Sequence, residues 1–411
     1  MKVRVNKGKA RGFVEAPPSK SMAHRLLICA GLADGTSEIE GIADSQDILA
    51  TLDCLKALGT VCERVNGASD TMKITGVGSK IWGCRKKRIL NCRESGSTLR
   101  FFVPLCLLSE GESELRGSLR LMERPLDVYE KLCAERGLMF CRSSGKLTVE
   151  GPLAAGTFQV AGNISSQFIS GLLFAMPLLD GESIMKIIPP VESRSYVEMT
   201  LYAMKTFGIG WERPDENTII IKGGQRYCPQ RAKVEGDYSN AAFFQALDML
   251  GGDVKVGNLD GGSLQGDIVC GEMLKQLGEG CPELDISDCP DLGPILFAAA
   301  AAGGRGAVFT GTKRLRIKES DRGAVMTRVL RKFGVQVTME ENRITIGAGG
   351  IKAPEEPLDG FNDHRIVMSE AVLLTLTGGI IEGAEAVTKS FPDFFEKLTS
   401  LGIEVEKIED K

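Results

Sequence analysis

A chain of 411 residues, 43% apolar and 25% charged, carries more sequence than one hydrophobic core organises, so two domains are expected. Its formal net charge of -4 leaves no global positive field for nucleic acid or an anionic membrane, and any anion binding must be local. The opening MKVRVNKGKARGFVEAPPSK has no apolar signal-peptide core, and no window reaches the about 18 apolar residues of a membrane span, so a cytoplasmic protein is expected.

From the N-terminus, KVRVNKGKARGFVEA reads as an extra strand or hairpin with no helix before it. The remainder of the chain is repetitive. A helix end, a glycine turn and a short β-rich run recur six times, as GLADGTSEIEGI, LLSEGESELRGS, PLLDGESIMKII, MLGGDVKVGNL, AAGGRGAVFTGT and LTGGIIEGAEAV. Behind each comes an amphipathic helix closed by glycine, then a strand or hairpin, the first being LKALGTVCERVNGASDTMKITG and the fourth EMLKQLGEGCPELDIS. The paired anchor glycines lie 24, 26, 27, 27, 30 and 24 residues apart, too regular for chance.

The sixth copy ends after one strand, so the N-terminal segment is expected to complete it. The predicted fold class is α/β, built of α+β repeats in two domains of three similar units. One domain comprises 1–19 and 227–411, with both termini; the other comprises 20–226, and a ligand cleft is expected between them. Helices are predicted over 51–58, 128–136, 196–206 and 323–333, and LLFAMPLL and ILFAAAAA read as helices buried all round.

Twelve cysteines, Cys84 among them, are scattered without a C-x-x-C pair, and free buried thiols are expected rather than disulfides. The two histidines, His24 and His364, supply no zinc-site spacing, and the glycine signatures of NAD and ATP sites are missing. No metal and no cofactor are expected.

Charge collects where the repeat is interrupted. PPSKSMAHR sets Lys20, Ser21 and Arg25 where prolines end a strand and a helix begins, which suits a phosphate or carboxylate, or equally a capping serine beside a solvated lysine. RESGSTLRF comes after a predicted strand at 88–92. Backbone N–H groups at Gly96, Ser97 and Thr98 would meet an anion there, although capping explains much of the pattern. Arg100 lies one turn inside an apolar helix, where an unpaired arginine is costly. Arg124 in LMERPLD reads by itself as a surface arginine. NISSQF (Ser165, Ser166, Gln167) and ESRSY (Ser193, Arg194, Tyr196) open two helices, either binding hydroxyls and phosphates or capping.

Asp291 in DCPDLGPILF is a capping aspartate or, on the sharper reading, a general base. RLRIKESDR, with Arg314, Arg316, Lys318, Glu319, Asp321 and Arg322, is by default a solvated charge run, but it lies where a repeat strand meets its helix. NDHR, Asn362 to Arg365, precedes another apolar helix, and Lys389 lies in VTKSFPDFF. His24 and His364 are read as core or orienting residues rather than bases.

In chain order, SKSMAHR, GSTLR, ERPL, SSQF, SRSY, EGDYSNAAFF, PDLGP, IKESDR, NDHR and TKSFPDFF resemble the enolpyruvyl transferases, within them the branch acting on shikimate 3-phosphate. The resemblance runs from the first domain crossing to the C-terminus. It implies the inside-out α/β barrel of that family. It also implies transfer of the enolpyruvyl group of phosphoenolpyruvate to the 5-hydroxyl of shikimate 3-phosphate, releasing phosphate, on the chorismate route to aromatic amino acids. A monomer is expected, with these small molecules as partners and neither nucleic acid nor membrane; glyphosate is the family's inhibitor.

By motif, phosphoenolpyruvate would contact Lys20, Gly96, Arg124, Gln167, Arg322, Arg365 and Lys389. Shikimate 3-phosphate would contact Lys20, Ser21, Arg25, Ser165, Ser166, Gln167, Ser193, Asp291 and Lys318. Asp291 would take the 5-hydroxyl proton, Glu319 would protonate and later deprotonate the methylene carbon, and Lys20 would assist. Two departures stand out: Glu94 to Ser97 replace the N-A-G-T of many members, and Arg314 replaces an asparagine.

The sister enzyme that uses UDP-N-acetylglucosamine has Lys-Asn at the Lys20-Ser21 position and a reactive cysteine in a mobile loop. This chain has no cysteine between Cys106 and Cys133. A DNA clamp, also built from six α/β units, would carry its basic residues along inward helices rather than at junctions.

Overall fold

The computed structural model describes residues 1–78 and 87–408; Cys84 lies outside them. The chain divides into an inserted unit, Pro18–Glu235, and a terminal unit, Met1–Pro17 with the chain from Gly236 onward.

The helices of the inserted unit are α1 (Lys20–Leu32), α2 (Gln46–Leu58), α3 (Gly96–Cys106), α4 (Leu119–Glu123), α5 (Asp127–Arg136), α6 (Ser166–Ala175) and α7 (Arg194–Thr206). Those of the terminal unit are α8 (Tyr238–Met249), α9 (Cys270–Glu279), α10 (Gly293–Ala302), α11 (Arg322–Lys332), α12 (His364–Thr377) and α13 (Phe394–Ser400). The helices begin up to five residues before the apolar periodicity does, because polar first turns are closed by side chains. Ser45 Oγ, for example, accepts the Ile48 amide ahead of α2. Gly59 and Gly137, at φ 104° and 66°, end α2 and α5 in the left-handed region that side chains avoid.

Five four-stranded sheets share one plan: a parallel pair, then two antiparallel partners. In the inserted unit the orders are Arg231–Lys233, Thr36–Glu40, Ala68–Thr75, Val61–Val65; then Arg88–Asn91, Ser113–Arg116, Lys146–Glu150, Met139–Ser143; then Thr157–Ala161, Ser183–Ile188, Thr218–Ile221, Glu212–Asp215. The Arg231–Lys233 strand adds to the edge at Glu38–Glu40, which keeps the chain with the inserted unit as far as Glu235.

In the terminal unit the orders are Glu283–Asp285, Ala307–Thr310, Arg343–Ile346, Val337–Met339, and Leu358–Asp359, Gly379–Glu382, Lys2–Val5, Val405–Ile408. The N-terminal strand Lys2–Val5 therefore sits between the two strands of the last copy and completes it. The fourth copy differs. Its anchor Gly278 lies inside α9, the chain passes directly to Glu283–Asp285 without a hairpin, and its sheet is only Asp253–Gly257 beside Arg11–Glu15.

Alternating burial, as in Thr157–Ala161 with Phe158 and Val160 inside, turns one face of each sheet to a helical core. At each centre lie helices buried almost end to end: α1, α3 and α6 in the inserted unit, and α8, α10 and α12 in the terminal unit. FISGLLFAMPLL is such a helix to Ala175, then tightens to a 3-10 turn at Met176–Leu178. The eleven described cysteines are free thiols. The expectation that all are buried fails for Cys141, Cys228 and Cys281, which are exposed on a strand and two loops, and for Cys62, which is half-buried. Among the described residues no helix is long and apolar enough to cross a membrane.

Candidate active site

The six central helices begin at the motifs singled out above, and within each unit side chains tie those N-termini to one another. Helix N-termini carry unpaired N–H groups and partial positive charge, so each cluster favours anions.

In the inserted unit, Ser19 caps α1, and Lys20 and Ser21 form its first turn. Lys20 Nζ lies 2.8 Å from the Asp47 carboxylate in the first turn of α2, and Thr98 of α3 reaches the Asp47 carbonyl at 3.5 Å. Arg25 is buried between the rings of Phe101 and Tyr196, 5.4 and 5.7 Å from its guanidinium carbon. It donates to Thr200 Oγ1, the Ser21 carbonyl, Ser170 Oγ and the Tyr196 carbonyl, so four of its five N–H donors are used among the described residues. Burial pulls its pKa down to about 10, still far above neutrality.

Ser95 caps α3, so Gly96 is its first residue. The space where a Cβ at residue 96 would stand is filled by Arg124, whose Nη1 would lie 2.4 Å away. Arg124 itself is buried at the end of α4, not on the surface. Gln167, in the first turn of α6, donates to Ser97 Oγ at 2.9 Å and accepts from Arg100 Nη1 at 2.7 Å. Arg100 also donates to the Pro125 carbonyl and packs over the Phe168 ring, 5.1 Å from its centroid. Its burial is thus compensated, and it positions Gln167. Ser165 caps α6 by accepting the Gln167 amide; Ser166 is buried in the first turn. Ser193 precedes α7 without capping it, held at φ 56°, a conformation that costs a non-glycine residue about 1–3 kcal/mol.

The terminal unit gathers charge more densely. Asp291 sits in the 3-10 turn Pro290–Leu292 ahead of α10, and it caps nothing: its carboxylate receives Lys318 Nζ at 3.0 Å and Arg322 Nη1 at 2.7 Å, with Arg365 Nη2 at 3.8 Å. Burial alone would raise the Asp291 carboxyl, but the charges of Lys318, Arg365 and Arg322 outweigh it and hold Asp291 well below the usual range. Burial likewise pulls Lys318 down, against the attraction of Asp291 and with the repulsion of Arg322 and Arg314. Arg322, 1% exposed, is the hub. It also donates to Glu319 Oε2 at 2.8 Å and to both oxygens of Asp363, at 2.9 and 3.2 Å.

Asp363 caps α12 through the Arg365 amide, and Ser320 donates to it at 2.9 Å. Phe361 and Asn362, at φ 48° and 51°, turn the Asn362 carbonyl toward Lys389 Nζ, 2.6 Å away. Arg93, Ser193, Phe361 and Asn362 are four of the five described non-glycine residues with positive φ, and each adjoins one of these motifs. Both histidines are buried. His24 Nδ1 lies 2.7 Å from Thr51 Oγ1, and burial, then the charges of Lys20 and Arg25, hold it well below the imidazole range, so it stays neutral.

Sequence reading missed Asp47 and the pivotal place of Asp363, since neither stands in a pattern beyond an ordinary helix start. For RLRIKESDR the charge run is not solvated: Arg314 and Arg322 are buried, and only Arg316 among its arginines is exposed.

Residues 5–398 match the family model of EPSP synthase (3-phosphoshikimate 1-carboxyvinyltransferase). A 3-phosphoshikimate 1-carboxyvinyltransferase of Clostridium kluyveri is 38% identical, covering 98% of this chain and 98% of its own length. That of Clostridium acetobutylicum is also 38% identical, with the same two coverages of 98%. Among solved structures, an EPSP synthase from Acinetobacter baumannii aligns with a TM-score of 0.77 at 25% identity, covering 99% of this chain and 100% of that one.

Proposed function

The chain belongs to the EPSP synthase family and transfers the enolpyruvyl group of phosphoenolpyruvate to the 5-hydroxyl of shikimate 3-phosphate; from that premise we propose how its own residues divide the work. The observation that carries the division is that one buried arginine, Arg322, held by Asp363, also donates to both carboxylates assigned here, Asp291 and Glu319.

Phosphoenolpyruvate is held by Lys20, the Gly96 backbone, Arg124, Gln167, Arg322, Arg365 and Lys389. Shikimate 3-phosphate is held by Lys20, Ser21, Arg25, Ser165, Ser166, Gln167, Ser193, Asp291 and Lys318. Each substrate carries a carboxylate and a phosphate, which explains why lysine and arginine are needed at so many separate points.

In the addition step the 5-hydroxyl oxygen bonds to C2 of phosphoenolpyruvate, its proton passes to Asp291, and Glu319 delivers a proton to C3. In the elimination the C2–O bond to phosphate breaks, the Glu319 carboxylate takes back a proton from the new methyl group, restoring the double bond, and the proton held by Asp291 leaves with the phosphate. Lys20 assists proton transfer and neutralises charge. Asp291 is a weak base while Lys318, Arg365 and Arg322 all face it. Phosphoenolpyruvate supplies Arg322 and Arg365 with new anionic partners, so Asp291 gains basicity and Glu319 loses its arginine only when the substrate is in place.

Glu319→Gln is expected to lower kcat by about a hundredfold or more, the usual scale of one acid or base, and to abolish solvent deuterium exchange into the phosphoenolpyruvate methylene group. Exchange at the normal rate in the variant would assign that proton to another residue. Gly96→Ala is expected to raise the KM for phosphoenolpyruvate by about tenfold or more, with kcat less affected, and to weaken glyphosate in parallel. The added methyl must push the Arg124 guanidinium aside, since they would otherwise stand 2.4 Å apart. Steady-state kinetics with inhibition by glyphosate read this directly, and unchanged values for both ligands would displace Gly96 and Arg124 from the site.

A further inference from the structure

Asp267, in the 3-10 turn Gly266–Val269 of the terminal unit, is a carboxyl that the division above does not use. It is 4% exposed. Its Oδ2 accepts the Ser239 hydroxyl, while its Oδ1 has no hydrogen-bond partner among the described residues. A buried acceptor left without a partner is costly for a carboxylate and much less so for a neutral carboxyl.

Its surroundings lead straight to the reacting groups. Ser239 stands in the first turn of α8, and its carbonyl accepts Arg365 Nη1 at 3.5 Å; the other arm of Arg365 lies 3.8 Å from Asp291. The charged groups facing Asp267 come from three segments: Asp291 ahead of α10, Arg365 at the start of α12, and Asp237, the cap of α8. Cys270 of α9 and Cys289 feel the charge of Asp267, and both are held protonated, chiefly by burial. Burial first, then the charge of Asp291, pushes the Asp267 carboxyl up to about 7, against the pull of Arg365 and the Ser239 hydroxyl.

We propose that Asp267 is a positioning residue for the transfer, a protonatable carboxyl behind the Asp291–Arg365 pair whose charge state sets how much of the Arg365 charge remains for phosphoenolpyruvate. The proposal rests on the reading above, in which Arg365 holds phosphoenolpyruvate and Asp291 is the base. With Asp267 neutral, Arg365 divides its charge between Asp291 and the substrate. With Asp267 ionised, a second carboxylate competes for the same guanidinium and repels the incoming anion, so phosphoenolpyruvate binding weakens as pH rises through about 7.

The test compares the KM for phosphoenolpyruvate, at saturating shikimate 3-phosphate, in the wild type and in Asp267→Asn from pH 5.5 to 8.5. Titration of the substrate phosphates is common to both and cancels in the ratio. The ratio of wild type to variant is expected to rise about tenfold across this range, the effect of one pH unit of coupling between neighbouring sites. Ser239→Ala, which removes the hydroxyl favouring the ionised form, should move the inflection to higher pH. A flat ratio overturns the proposal. If Asp267→Asn does not fold, the Ser239→Ala inflection decides, and an unmoved inflection overturns it equally. Asp291→Asn, measured alongside, separates the two levels: near-normal turnover there would sink the assignment of the base, whereas an inactive Asp291→Asn with a flat Asp267 ratio would sink the role of Asp267 alone.

Discussion

Asp291→Asn is expected to lower kcat by about a thousandfold, within the range that one general base supplies, while substrate affinity stays level or tightens. The amide keeps the shape of the carboxylate but cannot take the 5-hydroxyl proton. It also removes one negative charge from a point where Lys318 and Arg322 stand 3.0 and 2.7 Å away and Arg365 stands 3.8 Å away. Those cations then face the incoming phosphates and carboxylates with less competition, which favours binding. Collapse of the site would lower affinity and turnover together. Rapid-quench turnover with calorimetric binding of shikimate 3-phosphate distinguishes these outcomes, and near-normal turnover would take Asp291 out of the mechanism.

Arg322→Ala should destabilise the terminal unit by about 3–5 kcal/mol, the scale for removing one partner from a buried ion pair. Arg322 is 1% exposed and Asp363 is fully buried, so among the described residues the aspartate would keep the Ser320 hydroxyl and the Arg365 amide as hydrogen-bond donors, with the His364 ring 3.9 Å away. Two further carboxylates, Asp291 and Glu319, lose a donor in the same substitution. Amide hydrogen exchange in α11 and α12 should show the loss, and Arg322→Lys should recover part of it by returning charge without the planar fork. A destabilisation below about 1 kcal/mol, the level of a surface pair, would mean that Asp363 finds other partners and that Arg322 is not the hub of the site.

The repeat was legible because its punctuation is physical. Glycines such as Gly59 and Gly137 stand where the backbone turns left-handed after a helix, a demand that each copy makes afresh. The reading erred where a glycine obeys no such demand: Gly278, expected to close its helix, lies within α9. The incomplete sixth copy, by contrast, predicted its own missing strand, which Lys2–Val5 supplies.

Single motifs were ambiguous for a physical reason. A capping aspartate and a base both precede a helix, and only the neighbours separate them: Asp363 caps α12, whereas Asp291 meets three cations from two other segments, Lys318 and Arg322 of RLRIKESDR and Arg365 of NDHR. Arg100 looked functional because burying an arginine is costly; Gln167, the Pro125 carbonyl and the Phe168 ring meet that cost, which makes it a support. Asp47 and Asp267 act on residues 27 and 98 positions away, and no local spacing encodes such pairs.

The decisive measurement is phosphate release from phosphoenolpyruvate, made with shikimate 3-phosphate and separately with UDP-N-acetylglucosamine. Release with shikimate 3-phosphate alone, accompanied by the 5-enolpyruvyl product and lost in Asp291→Asn, is expected. Release with UDP-N-acetylglucosamine, or with neither acceptor, would contradict both the assigned substrate and the proposed base.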